Sequence, residues 1–215
     1  SIKMNLSGKE LFVNWDQDAI LFIDWTKDSG STTALNAIYY GALEAGAKLA
    51  DRVGCDSDAK RWRSRAEKIK ALLKKQAWDD ERGLFRFDVE DSALGHFTRH
   101  GNIDAVCLGV ADSKAELDSI GRHLAAAELP QVGTPYVSAY EAMALIKCGR
   151  KDDAKALVEK VWGSMLDAGA TSFWEGFDPE EKGDERWFFY GRPFGKSLCH
   201  AWSAAPVFLL PMLQK

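Results

Sequence analysis

The 215-residue sequence has no long apolar run. Nothing in it approaches the roughly eighteen consecutive apolar residues of a membrane-spanning helix, and its first residues lack the charged-then-apolar order of a signal peptide. It also lacks a basic excess. With 28 Lys and Arg against 32 Asp and Glu, a net charge of −4 and no basic stripe interleaved with aromatics, it offers little to grip a phosphate backbone, so no nucleic-acid partner is expected. Cysteine is sparse: Cys55, Cys107, Cys148 and Cys199 lie forty or more residues apart without a CxxC pair, which fits neither a zinc site nor a disulfide scaffold. They are expected mostly as buried thiols in helices. HExxH, EF-hand, P-loop, GxGxxG and GxSxG motifs are absent, so the expectation is no metal and no cofactor. What is present is 46% hydrophobic residues, too many for a disordered chain and enough for one or at most two domains with a sizeable core. Eight Trp is a heavy load, and Trp15, Trp25, Trp174 and Trp187 fall outside the regular helical stretches, where ligand platforms tend to lie.

Between Thr33 and Val53, Leu35, Ile38, Tyr39, Ala42, Leu43, Gly46 and Leu49 recur at steps of three and four, which predicts a helix closed by Gly54. A second helix is expected from Asp56 or Ser57, turning Ala59, Trp62, Ala66, Ile69 and Leu73 inward. Trp78 to Phe87 reads as a turn with a short strand. The hairpin pattern then recurs: a short helix around Ile103 to Val110, and a fourth opened by the capping box of Ser113 and Glu116. A fifth helix carries Val137 to Leu145, and a sixth runs from Asp152 or Asp153 to a stop at Gly169. Thr171 to Lys196 shows little periodicity, and Leu198 to Leu213 is expected as an apolar helix bent at Pro206. Leu11 to Trp15 and Ala19 to Trp25 are expected as short strands or an extended hairpin. Successive αα-hairpins without a fixed sequence period favour an α/α toroid over a solenoid. In a toroid the long connections would gather at one end of the barrel and form a pocket.

Those connections hold the chemistry. In Thr171-Ser172-Phe173-Trp174-Glu175-Gly176-Phe177-Asp178 a carboxylate sits among aromatic rings, an arrangement suited to general base work on a sugar, whose C–H faces are apolar. The alternative is a loop Glu paired with Arg186 or Arg192. Asp24, beside Trp25, could meet Glu175 across the mouth as a two-carboxylate site, or could orient a backbone turn. His200, near the start of the last helix, fits a satisfied histidine. His96 and His100 share a spacing of four but have no third ligand nearby, and Asp79 to Gly83 reads as an ordinary solvated turn.

Taken in order, Phe22-Ile23-Asp24-Trp25, Phe97-Thr98-Arg99-His100-Gly101-Asn102, Thr134-Pro135-Tyr136, Gly169-Ala170-Thr171-Ser172-Phe173-Trp174-Glu175 and Ser197-Leu198-Cys199-His200-Ala201-Trp202-Ser203-Ala204-Ala205-Pro206 resemble successive blocks of the bacterial α-L-rhamnosidase catalytic domain, over nearly the whole chain. The resemblance implies an all-α fold, part of an (α/α)6 barrel with a short β-hairpin near the N-terminus, and removal of terminal α-L-rhamnose by inversion. It implies Glu175 as the general base, with Trp25 lining the rhamnose pocket and His200 contacting the sugar; Asp24 and Trp174 are expected beside them as further contacts to a rhamnose-containing carbohydrate. The family's acid-bearing block, Arg-Asp-Glu-Arg-x-Gly-Trp-x-Gly-Asp, has no match in residues 1 to 24, and about three and a half hairpins stand where six are needed. The expectation is therefore a single domain over residues 1–215, an incomplete barrel cut from a longer enzyme and inactive alone. Its uncovered apolar faces would pack on the missing part or self-associate. Other α/α-toroid glycosidases or phosphorylases, such as unsaturated uronyl hydrolases, and a non-catalytic helical binding module are the alternatives.

Overall fold

The computed structural model describes residues 4–6, 11–15, 23–25, 31–89, 95–126 and 128–214. Two short strands, β1 (Met4–Leu6) and β2 (Phe12–Trp15), pair antiparallel ahead of the helices. β2 falls where a strand is predicted, and its partner is the preceding β1. The other expected strand segment lies mostly outside the described residues, and its end at Ile23 to Trp25 is not a strand.

α1 (Thr32–Arg52) starts where Ser31 accepts from the Ala34 N–H, and it ends before Gly54, whose φ of 75° reverses the chain. Its first turn is stitched to the chain after β4: Ser31 donates to the Phe87 carbonyl at 2.7 Å and Thr32 to Asp88 at 2.7 Å. α2 (Asp56–Gln76) returns along it and buries Ala59, Ala66, Ile69 and Leu73, as the periodicity predicts. β3 (Trp78–Asp79) and β4 (Leu84–Phe85) close a small hairpin whose Gly83 turns with φ 66°.

α3 (Arg99–Leu108) begins earlier than the apolar pattern indicates, because its first turn carries the polar residues Arg99, His100 and Asn102 into the interior. Arg99 pairs with the equally buried Glu141 and donates to the carbonyls of Leu124 and Leu129. α4 (Lys114–Ala125) opens with the expected capping box of Ser113 and Glu116. α5 (Pro135–Lys147) follows Thr134, which caps it, with Pro135 in the first turn where no N–H is needed.

The sixth helix is not uniform. α6 (Lys151–Val158) passes into a π-helical turn over Glu159–Gly163 before α7 (Ser164–Asp167). The widened turn contains the buried Trp162, whose indole donates to the Ser203 carbonyl at 2.8 Å. The last helix also differs from expectation: α8 (Pro206–Gln214) starts at Pro206 and is not bent there. Residues 198–205 form only a short 3-10 turn at Ala201–Ser203 because their backbone is committed elsewhere, His200 donating its N–H to the Phe173 carbonyl at 2.7 Å. The cysteines are only partly as expected, since Cys55 and Cys199 are exposed. Cys107 and Cys148 are half-buried, and burial raises their thiols to about 12 and about 11.

α1, α3, α5 and α8 pack one after another in a row, flanked by α2, α4 and α6, which makes an arc of an (α/α)6 barrel. The row brings together one end of each hairpin. Its other face lines a cavity of about 540 Å³ bounded by Ile38, His100, Asp104, Tyr136, Tyr140 and Trp202.

Candidate active site

Asp24 is 2% exposed and ties three connections together. Its Oδ1 accepts from the Trp25 N–H at 2.8 Å and the Thr134 hydroxyl at 2.7 Å. Its Oδ2 accepts from the Gly133 N–H at 2.6 Å and meets His100 Nε2 at 2.8 Å. Four partners fill the carboxylate, so Asp24 clamps the loop before α1, the first turn of α3 and the cap of α5, and has no lone pair free for a sugar. A substrate contact is expected of Asp24, and in the structure its acceptor positions are taken within the chain. The clamp presents the neighbouring Trp25, 47% exposed, with its ring edge-on to Tyr190 at 5.6 Å.

Glu175 follows the stop at Gly169, whose φ is 93°. Its backbone N–H donates to the Ser197 carbonyl at 2.8 Å, and its carbonyl accepts from the Trp202 indole at 2.8 Å. The side chain is held as firmly: Oε2 accepts from the Ser197 N–H at 3.0 Å and Oε1 from the Tyr190 hydroxyl. His200 Nδ1 stands 4.0 Å from Oε2, with about a third of its side chain exposed and its ring 4.3 Å from that of Trp202. His200 is therefore less buried than its placement in the sequence indicated. Neither arginine weighed as a partner reaches Glu175 among the described residues, and Arg186 instead donates to the Glu181 carbonyl. Burial pulls the Lys196 ammonium below its ordinary range against the opposing pull of Glu181, Asp178 and Glu175.

Trp174, of which a substrate contact is expected, is 3% exposed, with its ring against Phe177 and Trp187. Asp24 and Glu175 are joined through Trp25 and Tyr190, without direct contact between the carboxylates. Asp16 lies outside the described residues. His96 stacks on Phe87 at 4.6 Å while His100 turns to Asp24, so the two share no ligand position. Among the described residues no three His, Cys, Asp or Glu side chains gather as a metal site.

Two residues of the site escaped the sequence reading. Tyr190 lies in an aperiodic stretch, and its hydrogen bond to Glu175 lifts its phenol above the usual range. Asp104 sits in the cavity with His100, Tyr136 and Tyr140, and burial raises its carboxyl to about 7. Its signal was an acid among the inward positions Ile103, Val106 and Cys107. The row of His200, Trp202 and Tyr136 rings, the last two 5.8 Å apart, connects this cavity to Glu175.

The family described as bacterial alpha-L-rhamnosidase 6 hairpin glycosidase domain matches residues 6–212. Among solved structures, the rhamnosidase from Klebsiella oxytoca with rhamnose bound aligns over 96% of this chain and 38% of its own, at 28% identity and a TM-score of 0.78. The GH78 family rhamnosidase of Bacillus sp. GL1 aligns over 97% of this chain and 22% of its own, at 24% identity and a TM-score of 0.75, and shows the fold alone. The chain thus spans less than two fifths of either protein's length. No curated protein matches it.

Proposed function

Because the chain belongs to the family of bacterial α-L-rhamnosidase six-hairpin glycosidase domains, we propose that its site removes terminal α-L-rhamnose from glycosides or polysaccharides with inversion at the anomeric carbon. The observation that carries this reading is Glu175: a largely buried carboxylate oriented by a backbone N–H and a phenol, unpaired with any arginine among the described residues, and rimmed by Trp25, Tyr190 and His200. In this role Glu175 takes a proton from a water as the water oxygen bonds to the anomeric carbon. The bond to the leaving oxygen breaks, and that oxygen is protonated by an acid about 6.5–9.5 Å from the base. The exposed face of Trp25 suits the C6 methyl and C–H surface of rhamnose, and His200 supplies a polar contact to its hydroxyls. Asp24 and Trp174 serve the pocket from behind.

Asp24, with all its acceptor positions occupied, is a poor source of the leaving-group proton. We therefore assign the acid to polypeptide beyond this chain, together with the hairpins that complete the barrel. The apolar side chains α8 leaves in water support this, Val207 being 71% exposed and Phe208 and Leu210 about half. The test is release of p-nitrophenol from its α-L-rhamnoside by this chain alone and by a version extended upstream in its own reading frame. Turnover is expected only in the longer protein, with Glu175→Gln lowering kcat by about 10²–10⁴-fold and the first-formed sugar being the β-anomer. Full turnover in the Gln variant overturns the assignment of the base, and a retained α-configuration overturns inversion. A protein-binding helical module would show no hydrolysis in either version.

A further inference from the structure

Tyr190 occupies a position where its residue type is unfavourable. It and Gly191 are the central residues of a turn closed by Phe189 and Arg192, which exchange backbone hydrogen bonds at 3.0 and 3.2 Å. Both central residues have positive φ, 53° at Tyr190 and 71° at Gly191, the pattern of a tight hairpin turn that favours Asn, Asp or Gly at the first position. A side chain with a Cβ is costly there, and such departures persist where the surroundings or the function demand them.

The surroundings are specific. Gly176, the residue after Glu175, lies so close to the Phe189 ring that an added Cβ would stand 3.1 Å from it, and at Gly195 a Cβ would meet the Phe189 carbonyl at 2.1 Å. These two glycines let the turn settle against the Glu175 loop. The result is a Tyr190 that is 53% exposed, with its hydroxyl on Glu175 Oε1 and its ring edge-on to Trp25.

We propose that Tyr190 is a positioning residue for Glu175, orienting the carboxylate while its ring, set against Trp25, forms a wall of the same pocket. This rests on the reading of Glu175 as the general base. The Ser197 N–H fixes one carboxylate oxygen and the phenol fixes the other, so the plane of the carboxylate is set by two donors from different loops. Each oxygen keeps one acceptor position, through which a water can be engaged. A phenol is a donor suited to this place: it adds no charge that would compete for the base, and its rigid ring carries the donor across the pocket edge.

Two measurements test it. In this chain, ultraviolet titration of tyrosinate should show components above the ordinary range from Tyr40, Tyr140 and Tyr190, one of which is lost in Tyr190→Phe and moves toward an ordinary value in Glu175→Gln. A Tyr190 that titrates ordinarily and ignores Glu175→Gln overturns the proposal. In the catalytically competent longer polypeptide, Tyr190→Phe should lower kcat by about tenfold with KM nearly unchanged. Tyr190→Asn, which suits the turn but removes both ring and phenol, should show the same loss of kcat and also a raised KM. An unchanged kcat in Tyr190→Phe, in an enzyme that Glu175→Gln inactivates, overturns the role of Tyr190 alone. If Glu175→Gln keeps its turnover, the base assignment fails and the role of Tyr190 falls with it, while the titration still reports the contact.

Discussion

At the scale of the residue, a small acid does more architectural than chemical work. Asp24 gathers two backbone N–H groups, a hydroxyl and an imidazole, and an amide cannot replace it. In Asp24→Asn one oxygen becomes an NH2 that faces existing donors, leaving buried groups unpaired. The expected cost is about 1–3 kcal/mol by urea denaturation, together with weaker sugar binding as Trp25 loses its anchor. A variant as stable as the parent would show that the loops are held elsewhere. Glu175, Trp25 and His200 were legible as candidates because residue type and neighbourhood carry that information: a carboxylate beside rings, an acid beside Trp, a lone His in a block of order. The partners of those residues were not. Trp174 and Trp25 look alike in the chain, each beside an acid, and only packing decides that one is walled in and the other faces water. Tyr190 was hidden because its approach depends on a positive φ that its own identity argues against.

At the scale of the element, helix edges and helix crossings follow different rules. The capping box of Ser113 and Glu116 and the glycine stops at Gly54 and Gly169 are local chemistry, and they could be read directly. Where an element is shaped by a distant neighbour, local chemistry is silent. The π turn at Glu159–Gly163 goes with the reach of Trp162 to Ser203, and the late start of α8 reflects the hold of the Glu175 loop on residues 197–202. Gly121 in α4 makes the same point quantitatively. By propensity alone, Gly121→Ala should stabilise a helix interior by about 1 kcal/mol. A Cβ there would stand 2.7 Å from the Cβ of Cys148 and 3.1 Å from Cδ of Arg150, so the sign should reverse and the variant should melt below the parent. A higher Tm would mean that α4 can shift away from the end of α5 at little cost.

At the scale of the whole molecule, the cavity along α1, α3 and α5 carries an acid that makes stability depend on pH. Asp104 has a carboxyl raised from 3.8 to about 7 by burial, with His100, Tyr140 and Cys107 as its titratable neighbours. Between those pH values the folded chain keeps a proton that the unfolded chain has lost. Its stabilising effect is therefore complete below about pH 4 and lost as pH rises through about 7. The difference in Tm between Asp104→Asn and the parent should grow in favour of the variant across that window, and a constant difference would show that Asp104 titrates ordinarily. The carboxylate of Asp24 has a consequence in time as well. It joins Trp25 to Gly133 and Thr134, groups 109 and 110 positions beyond Asp24 itself. The αα-hairpins can form from near neighbours, whereas this knot must wait for a long loop to close, so the pocket is assembled late in folding, after the frame that carries it. A chain still emerging from the ribosome would hold hairpins before it held a site.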